Sequence, residues 1–311
     1  MRPQSPAKPY LAVLASTSTS LFWGLSYAVT KGLLDSMTPI EIAVFRFVLA
    51  SVVLVITSLF TGSLKPIKRA HLPRAVAAGV IGISIYFLFE NNGLKLTSAS
   101  AGSLIIATIP ILNLIVSWLT RAERVTVLNT AGVLLSFSGV YFLVRMSSNP
   151  SDGSSLVGNL LVLGAAVSWV AYTRINAPLV KEYDLSTLNT IETCIGTAAL
   201  IPAGLVAGLS FPQLEVFTLL RLAYLGLICS AAAYFLYFVA LRALGSVTVT
   251  CFVNLVPVFG VIGAIAFLGE RLTADKLLGG LMILVGVALV TIQAPKDRRS
   301  EFRSRSDTVP A

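Results

Sequence analysis

The chain has 311 residues, of which 56% are hydrophobic and only 12% are charged, and its formal net charge is +9. A soluble domain carries about 25% charged residues, so this composition excludes an ordinary water-soluble fold and points to lipid as the solvent. The positive charge does not indicate nucleic-acid binding, because the basic residues lie in separate short loops and in the C-terminal segment.

Ten apolar stretches follow one another along the chain, each long enough to cross a bilayer core of about 30 Å as a helix. Unpaired backbone groups are costly in hydrocarbon, and barrel strands are short and alternate in polarity, so each stretch is predicted to be a helix. The sequence therefore predicts an all-α integral membrane protein. The predicted spans are 10–33, 39–61, 73–91, 98–119, 126–145, 157–177, 185–208, 217–240, 245–268 and 275–293.

The distribution of Lys and Arg predicts how the spans are oriented. With the N-terminus inside, sixteen of the 23 basic residues fall in inside segments and six in outside segments, which is the bias typical of cytoplasmic loops. We therefore predict a multi-pass protein of the cell membrane (the inner or plasma membrane) with both termini cytoplasmic. Residues 1–9 form the N-terminal segment, and residues 294–311 are predicted to be a disordered basic tail.

The two halves of the chain repeat each other. Pro110 and Pro257 are 147 residues apart, and each is followed thirteen residues later by a Glu-Arg pair. Because each half has five spans, an odd number, the second half enters the membrane from the opposite side. The sequence predicts two inverted five-helix repeats, 10–145 and 157–293, joined by a linker at 146–156. Such repeats are typical of secondary transporters, in which two similar halves exchange conformations around a midplane substrate site.

The same repeated residues carry a resemblance to a known family. They are Pro110 with Ala122-Glu123-Arg124 and Pro257 with Gly269-Glu270-Arg271. This pattern resembles the drug/metabolite transporter (DMT) superfamily in its ten-helix EamA-type branch, over about residues 10–293, although Ala122 departs from the usual Gly-Glu pair. The resemblance implies export of amino acids, metabolites or drugs. Overall, the chain is most similar to the bacterial aromatic amino-acid exporters.

Two ionisable side chains inside predicted spans are candidate functional residues, because a charge in the bilayer is costly. Arg46 and Glu192 occupy equivalent places in the second helix of each half, 146 residues apart. They enter from opposite faces, so we expect each to face a central cavity or another polar partner instead of forming a direct ion pair. Arg46 is a candidate to attract a substrate carboxylate, and Glu192 to bind an amino group or a proton. Extension of each side chain to the nearer interface is the alternative.

Aromatic side chains within the spans are further candidates for a substrate cavity, because they suit flat or apolar solutes. Positions facing lipid or the membrane interface are the alternative. The candidates are Trp23, Tyr27, Tyr86, Phe89, Trp169, Tyr172, Tyr234 and Tyr237.

Polar residues near predicted helix breaks complete the cavity candidates. Pro110 and Pro257 are predicted to kink their spans and free a carbonyl, with Asn113 and Asn254 one turn away. The alternative is that these kinks serve only helix packing. Glu90 is interpreted as a water-exposed cap at the end of the third span, with a cavity rim as the alternative.

The Glu-Arg pairs at the two equivalent junctions are predicted to be structural. Each Glu is expected to favour the N-terminal dipole of the helix that follows it, and each Arg to reach carbonyls or headgroups. The residues are Glu123, Arg124, Glu270 and Arg271.

A transporter is favoured over two other classes. An intramembrane enzyme would need a metal-binding HExxH pattern or a GxSxG elbow, and neither is present, so no metal or other cofactor is predicted. No P-loop is present, so we expect transport to run on a gradient or with a separate ATPase. An ion channel would need a filter loop or a charged ring. The expected partners are a small-molecule substrate and the lipid bilayer. Drugs, purines, sugars and nucleotide sugars remain alternative substrates, and the oligomeric state is open, a monomer included.

Overall fold

A computed structural model of the chain describes residues 9–120, 127–146, 155–210 and 215–292, and these residues confirm the all-helical prediction. The α-helices are α1 (Pro9–Leu33), α2 (Pro39–Thr61), α3 (Leu72–Gly79), α4 (Tyr86–Leu96), α5 (Ala99–Ile106), α6 (Ile109–Leu119), α7 (Val127–Met146), α8 (Leu156–Glu182), α9 (Leu185–Val206), α10 (Val216–Ala223), α11 (Ala233–Phe252), α12 (Val256–Leu268) and α13 (Ala274–Ile292). Two π-helical segments, Val80–Ile85 and Tyr224–Ala232, join α3 to α4 and α10 to α11.

Within the described residues, six helical stretches are long and apolar enough to cross a membrane: Pro39–Thr61, Arg69–Leu96, Ala99–Val116, Leu156–Glu182, Leu185–Val206 and Val216–Leu244. Shorter apolar helices cover Thr130–Gly139, Val256–Leu268 and Leu277–Gly286. Helix α1 has 25 residues but is less apolar, because it carries hydroxyl side chains. These hydroxyls point inward: Thr19 Oγ1 donates to Ala15 O at 2.9 Å and Ser20 Oγ to Phe252 O at 2.7 Å.

Local sequence explains where the second helix of each half begins. Thr38 caps α2 through a capping box in which the Glu41 carboxylate accepts from the Thr38 backbone N–H, and Pro39 occupies the first turn. Asp184, at the equivalent place before α9, accepts from the backbone N–H groups of Ser186 and Thr187. Both caps satisfy amides that a helix cannot pair internally.

Equivalent helices of the two halves pack against each other. The Ser51 hydroxyl on α2 lies 2.8 Å from the Thr197 hydroxyl on α9, and these two residues are 146 apart in the chain. A second hydroxyl pair joins Ser58 to Thr190 at 2.8 Å. Because the residue number rises along α2 as it falls along α9, the two helices run antiparallel. The first helix of each half, α1 or α8, likewise packs on the third and fourth helices of the other half.

Helices α7 and α13 also run antiparallel, and glycines set their separation. A Cβ at Gly286 would lie 2.5 Å from Gly132 O, and a Cβ at Gly139 would lie 2.7 Å from Gly279 O. The Ser136 hydroxyl donates to Ile283 O at 3.1 Å, across an interval of 147 residues. Small residues are what allow two membrane helices to approach this closely.

The two repeated prolines are placed differently from the prediction. Pro110 and Pro257 lie in the first turns of α6 and α12, not within continuous kinked helices. Each follows a break, a turn at residues 107–108 in the first half and a 3₁₀ turn, Val253–Leu255, in the second. Proline tolerates this position because the first-turn N–H has no partner within the helix.

One predicted boundary is wrong. The sequence placed a break between 240 and 245, but Ala233–Phe252 is a single helix. At the equivalent place in the first half, the chain does leave the helix between Leu96 and Ala99, where the Ser98 side chain accepts from Ala101 N–H. The second half has Ala243 and Leu244 before Gly245 there, and these strong helix formers sustain the helix.

The close packing of α7 on α13 predicts the effect of two glycine substitutions. In Gly286→Ala the new methyl group meets backbone, 2.5 Å from Gly132 O, so the helices must separate, at a cost of about 1–3 kcal/mol. In Gly280→Ala the new methyl group first meets the flexible side chain of Leu104 at 2.7 Å. We expect Gly286→Ala to lower the thermal unfolding midpoint in detergent clearly more than Gly280→Ala. Equal midpoints would contradict this packing.

Candidate functional site

A narrow cavity lies between the two halves, and its lining combines aromatic, charged and aliphatic side chains. The lining residues are Trp23, Ser26, Tyr27, Arg46, Tyr86, Phe87, Glu90, Ile106, Ile109, Trp169, Tyr234, Val253 and Val256. Residues up to Ile109 belong to the first half, and the last four to the second.

Two tryptophans at equivalent positions form the wall where the halves meet. The Trp23 and Trp169 rings lie edge to face with their centroids 4.9 Å apart. Tyr234 contacts both of them, at 5.6 Å and 5.7 Å. Edge-to-face contacts of this kind stabilise aromatic clusters beyond their buried area, so the wall is well packed and presents ring faces and edges to the cavity.

Glu90 is buried in the cavity, 5% exposed, and the interpretation of this residue as a water-exposed cap is wrong. Helix α4 continues past it to Leu96, so its side chain points into the bundle. The hydroxyls of Tyr27 and Tyr86 donate to Glu90 Oε1 at 2.8 Å and 2.7 Å. Both bonds use the same oxygen, so Oε2 has no donor among the described residues and is available to a ligand.

Arg46 also turns inward, with 1% of its surface exposed, and does not extend to the membrane interface. Its Nε donates to the Ser230 hydroxyl at 2.5 Å, and its guanidinium carbon lies 4.3 Å from the centroid of the Phe87 ring. Ser230 belongs to the π-helical segment before α11; such segments occur often at functional sites.

The charged groups of the cavity are incompletely paired. Arg46 Nη1 is buried without a hydrogen-bond partner among the described residues. Arg46 and Glu90 line the same cavity, yet the ion pairs within the described part of the chain, which involve Glu182 with Lys68 and His71, do not include them. A buried guanidinium N–H without an acceptor is costly, and a carboxylate is the acceptor that suits it best.

Four aromatic or amide candidates lie outside this lining. Phe89 is 37% exposed and packs on Gly164, so it faces away from the cavity. Asn113 Oδ1 accepts from Arg174 Nε at 2.8 Å. Tyr172 and Tyr237 are buried behind Trp169, with ring centroids 5.0 Å and 5.3 Å from it.

Glu192 and Asn254 are not part of the lining either. Glu192 is 1% exposed and accepts from Asn176 Nδ2 at 3.1 Å, so it faces a polar partner outside the cavity. Asn254 lies in the 3₁₀ turn before α12, and its side chain falls outside the described residues.

Sequence reasoning missed Ser230 and the aliphatic part of the lining. Ile106, Ile109, Val253 and Val256 have the same composition as lipid-facing positions, so no sequence signal distinguishes them. Phe87 had a signal, since the Tyr-Phe pair at 86–87 recurs at 234–235.

The junction residue Glu270 contacts a helix that the sequence did not predict it to reach. It accepts from Ala99 N–H at 2.8 Å, from Ser100 N–H at 3.3 Å and from the Ser100 hydroxyl at 2.5 Å. It therefore caps α5, in the opposite half, and the predicted effect on its own following helix stays a prediction. Arg271 is exposed, and Glu123 and Arg124 lie outside the described residues.

The cap on α5 predicts the effect of changing Glu270. Glu270→Ala removes the acceptor of three donors, which costs about 1–3 kcal/mol, whereas Arg271→Ala changes an exposed side chain. We expect only Glu270→Ala to lower the thermal unfolding midpoint of the purified protein, with Glu270→Gln intermediate. An unchanged midpoint in Glu270→Ala would contradict the capping role.

Comparisons with known proteins show what the whole chain is similar to. The chain is 30% identical over 276 residues to an Archaeoglobus fulgidus protein described as an uncharacterized transporter, covering 88% of this chain and 94% of that one. It is 27% identical over 299 residues to a probable terminal-alkyne amino-acid exporter of Streptantibioticus cattleyicolor, covering 96% and 97%. A crystal structure of another protein shares the fold, with a TM-score of 0.65, 18% identity and coverage of 93% of this chain and all of that one.

The EamA-like transporter family model matches the chain twice, over residues 10–145 and 156–292. The apolar helices and the transporter relatives together indicate a multi-pass membrane protein. Since the two matches cover most of the chain, this protein belongs to the EamA-like transporter family.

Proposed function

We propose that this protein is a secondary transporter that exports amino acids with aromatic or apolar side chains, by alternating access around the cavity between its halves. The observation that carries the proposal is the pairing, in one aromatic-walled cavity, of an unpartnered Arg46 N–H with a free oxygen of Glu90. An amino acid is a zwitterion that offers both complementary charges.

Two parts of the cavity would recognise the substrate, the charged groups and the aromatic wall. Arg46 binds the substrate carboxylate through its free Nη1, and Glu90 Oε2 binds the α-ammonium group. Each charge that the substrate brings is then compensated, which matters because an unpaired buried charge is very costly. The side chain packs against the wall formed by Trp23, Trp169 and Tyr234, which suits a ring or a branched apolar group.

We propose further that the two halves are inverted repeats, as five spans per half require. The antiparallel contacts of α2 with α9 and of α7 with α13 support this, because equivalent residues such as Ser51 and Thr197 meet. A two-fold relation lets the halves exchange conformations at similar energy, and the cavity then opens to either side in turn. The narrowness of the cavity fits a conformation between the two open states.

Two further observations support amino-acid export across the cell membrane. One relative that matches nearly the full chain is described as a probable terminal-alkyne amino-acid exporter. The Lys and Arg distribution favours cytoplasmic termini, and the sequence has no P-loop, so a gradient would drive transport.

Transport assays in liposomes test the proposal with three related solutes. Phenylalanine carries both charges, phenylethylamine lacks the carboxylate, and 3-phenylpropionate lacks the ammonium group. We expect liposomes that contain the purified protein to release preloaded phenylalanine faster than protein-free liposomes do, and to release the two analogues poorly. Failure of every amino acid in a wider panel, or release of sugars or purines instead, would overturn the substrate assignment. Single-channel currents would overturn the carrier mechanism.

Substitution of Arg46 links the activity to the cavity. Arg46→Met removes a charge-assisted hydrogen bond of about 1.5–3 kcal/mol, so we expect the KM for phenylalanine to rise about 10- to 100-fold. Ser51→Ala, on the same helix but outside the lining, is the control and should leave the KM near that of the unmodified protein. The same KM in Arg46→Met as in the control would contradict carboxylate binding by Arg46.

A further inference from the structure

A second buried polar cluster lies behind the aromatic wall. It consists of Glu192 on α9 with Tyr172 and Asn176 on α8, exposed by 1%, 0% and 0%. None of the three lines the cavity. They are nevertheless close to it, because the Trp169 ring lines the cavity and lies 5.0 Å from the Tyr172 ring.

The hydrogen bonding of this cluster is incomplete in a specific way. Glu192 Oε2 accepts from Asn176 Nδ2 at 3.1 Å. Glu192 Oε1, Asn176 Oδ1 and the Tyr172 hydroxyl have no hydrogen-bond partner within the described part of the chain. The Tyr172 hydroxyl faces the carboxyl group and is the one side-chain donor, besides the Asn176 amide, that the described residues place beside it. Two of the three unpaired atoms can only accept, and the Tyr172 hydroxyl can donate to one of them, so the cluster is one donor short.

The helices around α9 do not supply a positive charge to Glu192. Glu192 forms no salt bridge with any Lys, Arg or His among the described residues. The titratable groups that interact with it are Tyr172 from α8 and Tyr234 from α11. Tyr237 from α11 and Arg46 from α2 interact with Tyr234, and α3 and the π segment after it contribute Gly79 and Ile83. Arg46 is committed to Ser230 and to the cavity. An ionised Glu192 would therefore be a buried charge held by neutral amide and phenol groups, without a cation to compensate it among the described residues.

We propose that Glu192 is a proton-binding site that couples transport to a proton gradient. A single proton on Oε1 removes the uncompensated charge and supplies the missing donor. The Tyr172 hydroxyl oxygen or Asn176 Oδ1 accepts the hydrogen bond from this O–H group. This inference rests on the proposed transport function and adds its energy source. A buried carboxyl group with unpaired acceptors beside it is stable when neutral and unstable when ionised.

The repeat explains how the proton is released. Glu192 is the positional equivalent of Arg46, 146 residues earlier, and Arg46 lines the cavity in this conformation while Glu192 does not. When the halves exchange conformations, Glu192 moves into contact with the water of the cavity. The carboxylic acid then gives up its proton to water and becomes a carboxylate, which hydration stabilises. No other bond is made or broken.

Two assays on the full-length protein in liposomes separate this inference from transport itself. The first is counterflow, in which unlabelled phenylalanine inside exchanges with labelled phenylalanine outside at equal pH. The second is uptake against a concentration gradient, driven by an imposed difference of one pH unit, which supports up to about tenfold accumulation per proton. Glu192→Gln keeps the bond to Asn176 and imitates the neutral acid. Glu182→Gln, an exposed carboxylate change on α8, is the matched control.

We expect the unmodified protein and Glu182→Gln to perform both assays, and Glu192→Gln to retain counterflow but lose pH-driven accumulation. Transport of phenylalanine by the unmodified protein should also move protons, which a pH-sensitive dye inside the liposomes measures directly.

Counterflow without any response to pH, or accumulation driven by a sodium gradient instead, would overturn the proton site and leave the transport function standing. Loss of counterflow in a folded Glu192→Gln would assign Glu192 to the substrate instead. No counterflow in the unmodified protein would defeat the proposed function itself.

Discussion

Two glycines hold the ionisable residues of the core in place. The backbone of α2 at Arg46 lies against Gly226, where a Cβ would be 2.9 Å from the Arg46 carbonyl oxygen. The backbone of α9 at Glu192 lies against Gly79 in the same way, at 2.6 Å. This contact brings the second helix of each half against the third helix of the other half at the two places where a charge enters the core. A membrane interior tolerates such residues only when they face protein or water, and the close approach gives them that protection.

The same constraint makes the halves alike in backbone and different in chemistry. Arg46 extends into a cavity that also contains Glu90, whereas Glu192 contacts amide and phenol groups behind Trp169. The two π-helical segments occur at corresponding points, and one of them supplies the Ser230 hydroxyl that orients Arg46. In the mechanism that we propose, a symmetric frame with asymmetric side chains lets one region bind a zwitterion while the other binds a proton.

Much of this architecture could be predicted from the sequence, and the limits have physical causes. Long apolar runs predict helices in lipid without any tertiary information, and the 147-residue interval predicts that the chain consists of two similar halves, which the two matches of the family model agree with. The burial of Glu90 could not be predicted, because the predicted third span ends at residue 91, five residues before the end of α4 at Leu96. Glu270 caps a helix of the other half, and the sequence gives no sign of that partner. The continuous α11 was missed because the apolar run that contains it was divided into two spans of bilayer length, 217–240 and 245–268.

The most direct test of the account is the sidedness of its two halves. Reporter tags placed before α1, within residues 1–8, and after α7, within residues 147–154, bracket the first five predicted spans. Antiparallel halves around a shared cavity require the two tags to emerge on opposite faces of the membrane, with the first in the cytoplasm. Detection of both tags on the same face would contradict the opposed halves and, with them, the cavity mechanism.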